Sequence, residues 1–173
     1  MRILLLLVAL GLFSCGNTIY IVRHAEKATV EAGASQMMAT DPPLSDAGNV
    51  RAIQLRDKLK GKNIQYIFST NTSRTVSTAQ PLNELRGNNR IEIYSSKKDS
   101  IDMFINRLKS IKNGNVLVVG HSNTVDDIVN RLCQNMEISA DLRDNEYDNL
   151  FILKRKANRY RFVKAKYGNK SPD

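Results

Sequence analysis

Residues 18–27 read TIYIVRHAEK, and this stretch decides the fold. The apolar and β-favouring side chains from Thr18 to Val22 predict a buried strand, and Arg23 and His24 follow it directly. In an α/β sheet, ligands bind at the carboxyl ends of the strands. The stretch therefore predicts a strand that delivers an arginine and a histidine to a ligand site.

Two further apolar runs are also followed by a histidine or an arginine. Residues 116–119 (VLVV) lead through Gly120 to His121, the second of only two histidines, and residues 64–68 (IQYIF) lead to Arg74. Arginine offers planar, paired donors that match phosphoryl oxygens, and a neutral histidine can attack phosphorus. We expect one pocket for a phosphoryl group, built from Arg23, His24, Arg74 and His121.

The rest of the chain alternates helical and strand-like patterns. Residues 44–48 open a first helix with Ser45 as N-cap, and residues 28–43 before it are expected to form a loop. Later helices are expected at 73–85, with Val76 and Ala79 inward, at 101–111, and at 125–136, with Met136 on the apolar stripe. Further strands are expected at 91–94, 150–153 and 159–166. The pattern predicts an α/β three-layer sandwich, with helices on both faces of a largely parallel sheet and a C-terminal antiparallel hairpin.

Residues 1–15 are interpreted as a signal peptide rather than as part of the domain, which then spans 16–173. The apolar run at 3–13 has the length of a signal-peptide core. A small residue directly before Cys15 resembles a bacterial lipoprotein signal, which would make Cys15 an acylated terminus and place the protein in the cell envelope. The alternative is a plain cleaved signal. If Cys15 is acylated, Cys133 is the only thiol left, so no internal disulfide is possible. The apolar helical pattern around Cys133 predicts a small core residue and not a nucleophile.

The formal net charge is +9, and residues 154–170 contain eight basic and no acidic side chains. Nucleic-acid binding is one interpretation of such a segment. Charged and apolar residues alternate there, however, which is typical of a half-buried edge strand protected by lysines. We favour the edge strand and expect no nucleic-acid partner.

Four stretches, in this order, resemble the signature of the histidine phosphatase superfamily, which has the phosphoglycerate-mutase-like fold. They are IVRHAE at 21–26, DPPLSDAG at 41–48, the set Ser69, Arg74, Thr75, Thr78 and Ala79, and GHSNT at 120–124. The resemblance implies that His24 is a nucleophile that forms a phosphohistidine. It also implies that Arg23, Arg74 and His121 bind the phosphoryl group, that water releases phosphate, and that no metal or other cofactor is needed.

Several side chains near these motifs have open roles. Glu26 and Asn123 either contact a phosphorylated substrate or orient and cap their neighbours. Asp126 and Asp127, soon after His121, do not form a metal-ligand spacing. The positive cluster is expected to lower the histidine pKa and so keep the nucleophile neutral.

The chain lacks the insertion that supplies an acidic proton donor in mutases and many sugar-phosphate phosphatases, because only residues 80–89 separate Ala79 from the next strand. Glu84 is the nearest acid along this stretch. The compact form resembles the small phosphohistidine-phosphatase-like branch and argues against a mutase. A missing acid favours substrates with good leaving groups. The alternative function is a non-catalytic lipoprotein of the envelope that binds phosphorylated ligands.

Overall fold

The computed structural model describes residues 16–30 and 35–171. The predicted signal peptide and Cys15 lie outside these residues. Within them, no helix has the length and apolar character needed to cross a membrane.

A single six-stranded sheet runs through the described chain in the order β3-β2-β4-β1-β5-β6. The first four strands in this order pair in parallel, and β5 and β6 pair antiparallel with each other, as β5 does with β1. This is the expected largely parallel sheet with an antiparallel C-terminal hairpin. The strands are β1 (Thr18–Arg23), β2 (Ile64–Ser69), β3 (Ile91–Ile93), β4 (Asn115–Gly120), β5 (Asn149–Lys156) and β6 (Arg159–Lys166).

Helices cover both faces of the sheet, which confirms the three-layer architecture. The helices are α1 (Gln36–Thr40), α2 (Asp46–Leu59), α3 (Ser73–Leu85), α4 (Ile101–Ser110) and α5 (Val125–Cys133). One apolar cluster joins α2 and α3 to one face through Leu55 and Leu82, and a second joins α4 and α5 to the other through Leu108 and Ile128.

The strand β1 lies inside the sheet and is buried. Ile19 and Ile21 are fully buried, and β1 lies between β4 and β5. Arg23 at the end of β1 aligns with Gly120 at the end of β4, and Ser69 at the end of β2 aligns with Val119. The carboxyl ends of three parallel strands therefore meet at one edge.

Three expectations from the sequence need correction. The segment 28–43 is not entirely loop, because α1 forms within it before Pro42 ends the helical conformation. Val76 is only partly buried, and the inward face of α3 is made by Thr75, Thr78 and Ala79. Met136 is exposed, because α5 ends at Cys133 with Gln134 in the left-handed conformation (φ 56°).

The start of α2 is held closely against the loop after β1. The Ser45 side chain accepts a hydrogen bond from the Gly48 amide at 3.1 Å, which confirms it as the N-cap. A Cβ atom at Gly48 would clash with the backbone carbonyl oxygen of Glu26. This close approach therefore depends on glycine and fixes the residues that follow His24.

Candidate active site

The four predicted residues lie around one pocket at the carboxyl edge of the sheet. His24 follows β1, His121 follows β4, and Arg74 is in the first turn of α3. The two imidazole rings have centroids 5.4 Å apart and meet edge to face. The pocket has a volume of about 520 Å³ and is lined by Arg23, His24, Lys27, Arg74, Ser96, His121, Ser122, Asn123 and Asp144.

A backbone contact determines which nitrogen of His24 carries the proton. His24 Nδ1 lies 2.7 Å from the carbonyl oxygen of Ala25, and a carbonyl can only accept. The neutral ring therefore has its proton on Nδ1, which leaves a lone pair on Nε2. The amide of Ala25 in turn donates to Thr78 Oγ1 at 2.9 Å, so α3 supports the peptide that sets the tautomer.

Both histidines are neutral in this setting. Burial of the ring lowers the pKa of His24 to about 3, and the charges of Arg23, His121 and Arg74 add to this effect. Burial likewise lowers the pKa of His121 to about 4, with Arg74 and Arg23 contributing less. The expected direction of the pKa shift is thus present, but burial rather than the positive cluster is its larger cause.

The ring of His121 is held by hydroxyl groups. Its Nε2 lies 2.8 Å from Thr70 Oγ1, which lies 2.9 Å from Thr75 Oγ1 in the first turn of α3. The backbone amide of His121 donates to Thr124 Oγ1 at 2.9 Å. These contacts fix the second ring relative to the first.

Arg23 is buried and is positioned by the loop between α5 and β5. Its Nη1 donates to the carbonyl oxygens of Arg143 and Asp144 at 2.8 and 3.1 Å, and its guanidinium carbon lies 4.2 Å from the centre of the Tyr147 ring. Arg23 Nε has no hydrogen-bond partner in the described part of the protein. Sequence reasoning missed Tyr147, whose single signal was an aromatic side chain within a polar segment.

Two carboxylates lie closer to the pocket than the predicted Glu84. Asp41 Oδ1 accepts from Arg74 at 3.0 Å, and Asp144 Oδ1 lies 3.8 Å from Arg23 Nη2. Glu84 instead accepts from Gln80 on the exposed surface of α3. Glu84, which the sequence offered only as the nearest acid, therefore lies outside the pocket, and the acids beside the pocket come from loops that are remote in sequence from α3.

Glu26 and Asn123, each expected either to contact the substrate or to orient its neighbours, have different surroundings in the structure. Both carboxylate oxygens of Glu26 accept from Arg51, at 2.6 and 2.8 Å, and Arg51 is buried. Arg51 Nη1 also donates to the Asn169 carbonyl at 3.0 Å. Glu26 thus connects the loop after β1 to α2 and the C-terminal segment, whereas Asn123 lines the pocket.

A second cleft adjoins the pocket and shares Lys27 and Arg74 with it. Its volume is about 490 Å³, and its other lining residues are Ala28, Thr29, Val30, Ala39, Thr40, Pro42 and Tyr147. The two spaces are therefore neighbours, with the Lys27 and Arg74 side chains between them. Among the described residues, no three His, Cys, Asp or Glu side chains are grouped so that they could hold a metal ion.

Comparisons with known proteins agree with this arrangement. The family model of the histidine phosphatase superfamily (branch 1) matches residues 19–98, which include Arg23, His24 and Arg74. No curated protein matches the chain in sequence.

Solved structures show the same fold at low sequence identity. One is described as the phosphohistidine phosphatase SixA from Agrobacterium tumefaciens, with a TM-score of 0.65, 17% identity, and coverage of 89% of this chain and 99% of that one. The ecdysone phosphate phosphatase from Bombix mori in complex with tungstate has a TM-score of 0.67 and 13% identity, and the match covers 91% of this chain and 95% of that one. A phosphoserine phosphatase variant from Entamoeba histolytica in complex with phosphoserine has a TM-score of 0.61 and 14% identity, and the match covers 87% of this chain and 96% of that one.

Proposed function

We propose that this chain, whose residues 19–98 match the family model of the histidine phosphatase superfamily (branch 1), is a phosphatase of that superfamily and hydrolyses a small phosphomonoester, or a related phosphoryl compound, through a phosphohistidine on His24. The observation that carries the proposal is the Nδ1 contact with Ala25, which leaves the Nε2 lone pair unprotonated. Arg23, Arg74 and His121 line the same pocket and supply donors for a tetrahedral anion. No metal takes part in the proposed reaction.

In the first step, the Nε2 lone pair forms an N–P bond while the P–O bond to the leaving group breaks, and the leaving oxygen departs with that electron pair. Negative charge spreads over the three equatorial oxygens in the transition state. Arg23 Nη2 is left for these oxygens, because Nη1 is used by the carbonyls of Arg143 and Asp144 and Nε is buried. Arg74, from the first turn of α3, and His121, which follows β4, would donate to the same oxygens.

In the second step, water attacks phosphorus, the N–P bond breaks, and its electron pair returns to Nε2. Inorganic phosphate leaves, and the proton released by water passes to phosphate or solvent. The same donors stabilise this second transition state. Fixed donors of this kind typically contribute about 3 to 4 kcal/mol each to lowering the barrier.

The leaving group would receive little help from the protein. Asp41 Oδ1 and Asp144 Oδ1 lie 3.0 and 3.8 Å from nitrogens of the pocket arginines, so both carboxylates are next to cations, and neither is assigned as a proton donor to the departing oxygen in the proposed reaction. Substrates whose leaving group is stable without protonation, such as aryl phosphates, are therefore favoured, as are substrates whose bridging nitrogen carries its own proton and leaves as an amine, such as phosphoramidates. The adjoining cleft would hold the organic part of the substrate, with the Tyr147 ring and Val30 as apolar contacts and Lys27 as a cation.

We also propose that the protein is an envelope lipoprotein anchored through Cys15. The support is the sequence alone: the apolar run at 3–13 and the small residue before the cysteine. Metabolic labelling with a radioactive fatty acid is expected to mark the wild-type protein and not a Cys15→Ser variant. Equal labelling of both would exclude this anchor.

The test of the reaction is to trap the phosphoenzyme. The protein is mixed with a radiolabelled phosphoryl donor such as acetyl phosphate and quenched. We expect label that is stable in base and lost in acid, which identifies phosphohistidine among protein phosphoryl groups. His24→Asn should abolish labelling, and Lys97→Gln, an exposed substitution outside the pocket lining, should not.

The same experiment tests the alternative, a non-catalytic protein that binds phosphorylated ligands. In that case wild-type protein would retain phosphate in equilibrium dialysis but acquire no covalent label and release no phosphate from aryl esters. Label that persists in His24→Asn would exclude His24 as the nucleophile.

A further inference from the structure

The end of the sheet opposite the pocket carries a concentration of positive charge. We call it the basic end and define it by six exposed cations: Lys62, Lys112, Lys154, Lys156, Arg159 and Arg161. The turns at this end, residues 60–63, 86–90, 111–114 and 157–158, contain no aspartate or glutamate. By contrast, the loops around the pocket mix both signs of charge, with Asp41, Asp144 and Glu146 beside Lys27, Lys97 and Lys98. Charge is thus polarised along the direction of the strands.

The hairpin contributes most of this charge in an arrangement that does not favour folding. Lys154 lies directly opposite Arg161, and Lys156 directly opposite Arg159. Like charges directly opposite each other on one face of a sheet are destabilising. None of the four has an ion-pair partner within the described part of the chain. Protection of an edge strand would require cations on β6 alone, so it does not account for those on β5.

Asn17, one of the first residues that the structure describes, lies at the basic end. The Arg155 amide donates to the Asn17 carbonyl at 3.0 Å, and Asn17 Nδ2 donates to the Ile111 carbonyl at 3.0 Å. Asn17 is therefore held between the hairpin and the turn before β4. In sequence, Cys15 and the apolar run at 3–13 come immediately before this point.

We propose that the basic end binds the anionic phospholipid headgroups of the membrane beside the N-terminal segment. The partner is an anionic lipid surface because the cations are spread over several turns at one end, they have no ion-pair partners among the described residues, and Asn17, which is held at this end, follows the proposed acylation site Cys15 by two residues in sequence. The bound orientation directs the pocket, at the opposite end of the strands, away from the lipid. The inference depends on charge and chain path and not on the roles proposed for His24 and its neighbours.

The test compares partition of the full chain, carrying Cys15→Ser to prevent acylation, between vesicles of phosphatidylcholine alone and vesicles containing phosphatidylglycerol. The measured quantity is the ratio of the two partition coefficients, in which any contribution of the apolar N-terminal segment cancels. Since each lysine near such a surface contributes about 1 kcal/mol, K154Q/K156Q should lower the ratio about 20- to 30-fold. The matched control K97Q/K98Q removes the same charge at the other end and should leave the ratio unchanged.

Added salt should reduce the wild-type ratio towards one, because surface electrostatic attraction is screened. An equal ratio for wild type and K154Q/K156Q, or an equal loss in the control variant, would overturn the proposal. Tighter binding to duplex DNA than to anionic vesicles at the same salt, lost in K154Q/K156Q, would overturn it in favour of a nucleic-acid surface. Hydrolysis of aryl phosphate by K154Q/K156Q should equal that of wild type, which separates this result from failure of the proposed reaction.

Discussion

At the scale of single residues, the backbone carbonyl of Ala25 determines the tautomer of His24. It holds the proton of His24 on Nδ1, while burial keeps the ring neutral. Neither effect requires an acidic partner for His24, so the backbone and burial alone give this ring the tautomer and the charge that the proposed nucleophile needs.

The neutral histidines make folding stability depend on pH. The ordinary pKa of histidine is 6.5, and the folded pKa values of His24 and His121 are about 3 and about 4. Below pH 6.5 the unfolded chain therefore binds more protons than the folded chain, and the free energy of unfolding falls as pH drops. Each histidine contributes a slope of roughly 1 kcal/mol per pH unit down to its folded pKa.

Urea unfolding between pH 7 and pH 4 should show this fall, with a shallower slope in His24→Asn. Identical slopes in the variant and the wild type would mean that His24 is not buried in its neutral form.

Glu26 is expected to act through structure and not through substrate. Glu26→Gln weakens the partly buried ion pair with Arg51 and should lower the free energy of unfolding by roughly 1 to 3 kcal/mol. KM for an aryl phosphate should stay unchanged in the folded variant. The control Asp102→Asn breaks an exposed pair with Arg131 and should cost less than about 1 kcal/mol. A raised KM with unchanged stability would instead place Glu26 in the substrate site.

At the scale of elements, the contact of α2 with the loop after β1 depends on a missing side chain. Gly48→Ala would press a methyl group against the carbonyl of Glu26, and overpacking of this kind costs roughly 1 to 3 kcal/mol. Gly61→Ala, at a glycine with no atom within 4 Å of its Cβ position, is the control and should be neutral or stabilising. Thermal unfolding measures both, and an equal loss in both variants would argue against the close approach.

The elements themselves could be predicted because their signals are local. The apolar spacing of Ile101, Phe104 and Leu108 predicted α4, and the alternation after Arg159 predicted β6. The site residues that could not be predicted depend on contacts between residues that are distant in sequence. Tyr147 meets Arg23 and Asp144 approaches it only through the fold, and no local pattern marks either residue. The end of α5 before Met136 was missed because the stripe continued in sequence after the helix had ended.

At the scale of the whole molecule, the proposed reaction has no positioned proton donor, so it should discriminate between leaving groups. We expect turnover of aryl phosphates to exceed that of alkyl phosphates of similar size by roughly 100-fold or more, which is the contribution that a positioned general acid would otherwise supply. Asp144→Asn should not change this ratio. Equal rates on both classes, with a selective loss on alkyl esters in Asp144→Asn, would make Asp144 the proton donor.

The strand order has a consequence for biosynthesis. The strand that carries Arg23 and His24 has no hydrogen-bonded neighbour until β4 and β5 exist, and its partners begin at Val116 and reach Lys154. His24, the proposed nucleophile, is synthesised long before the two strands that flank β1. The pocket can therefore form only after residue 154 has left the ribosome, and the proposed reaction cannot begin earlier.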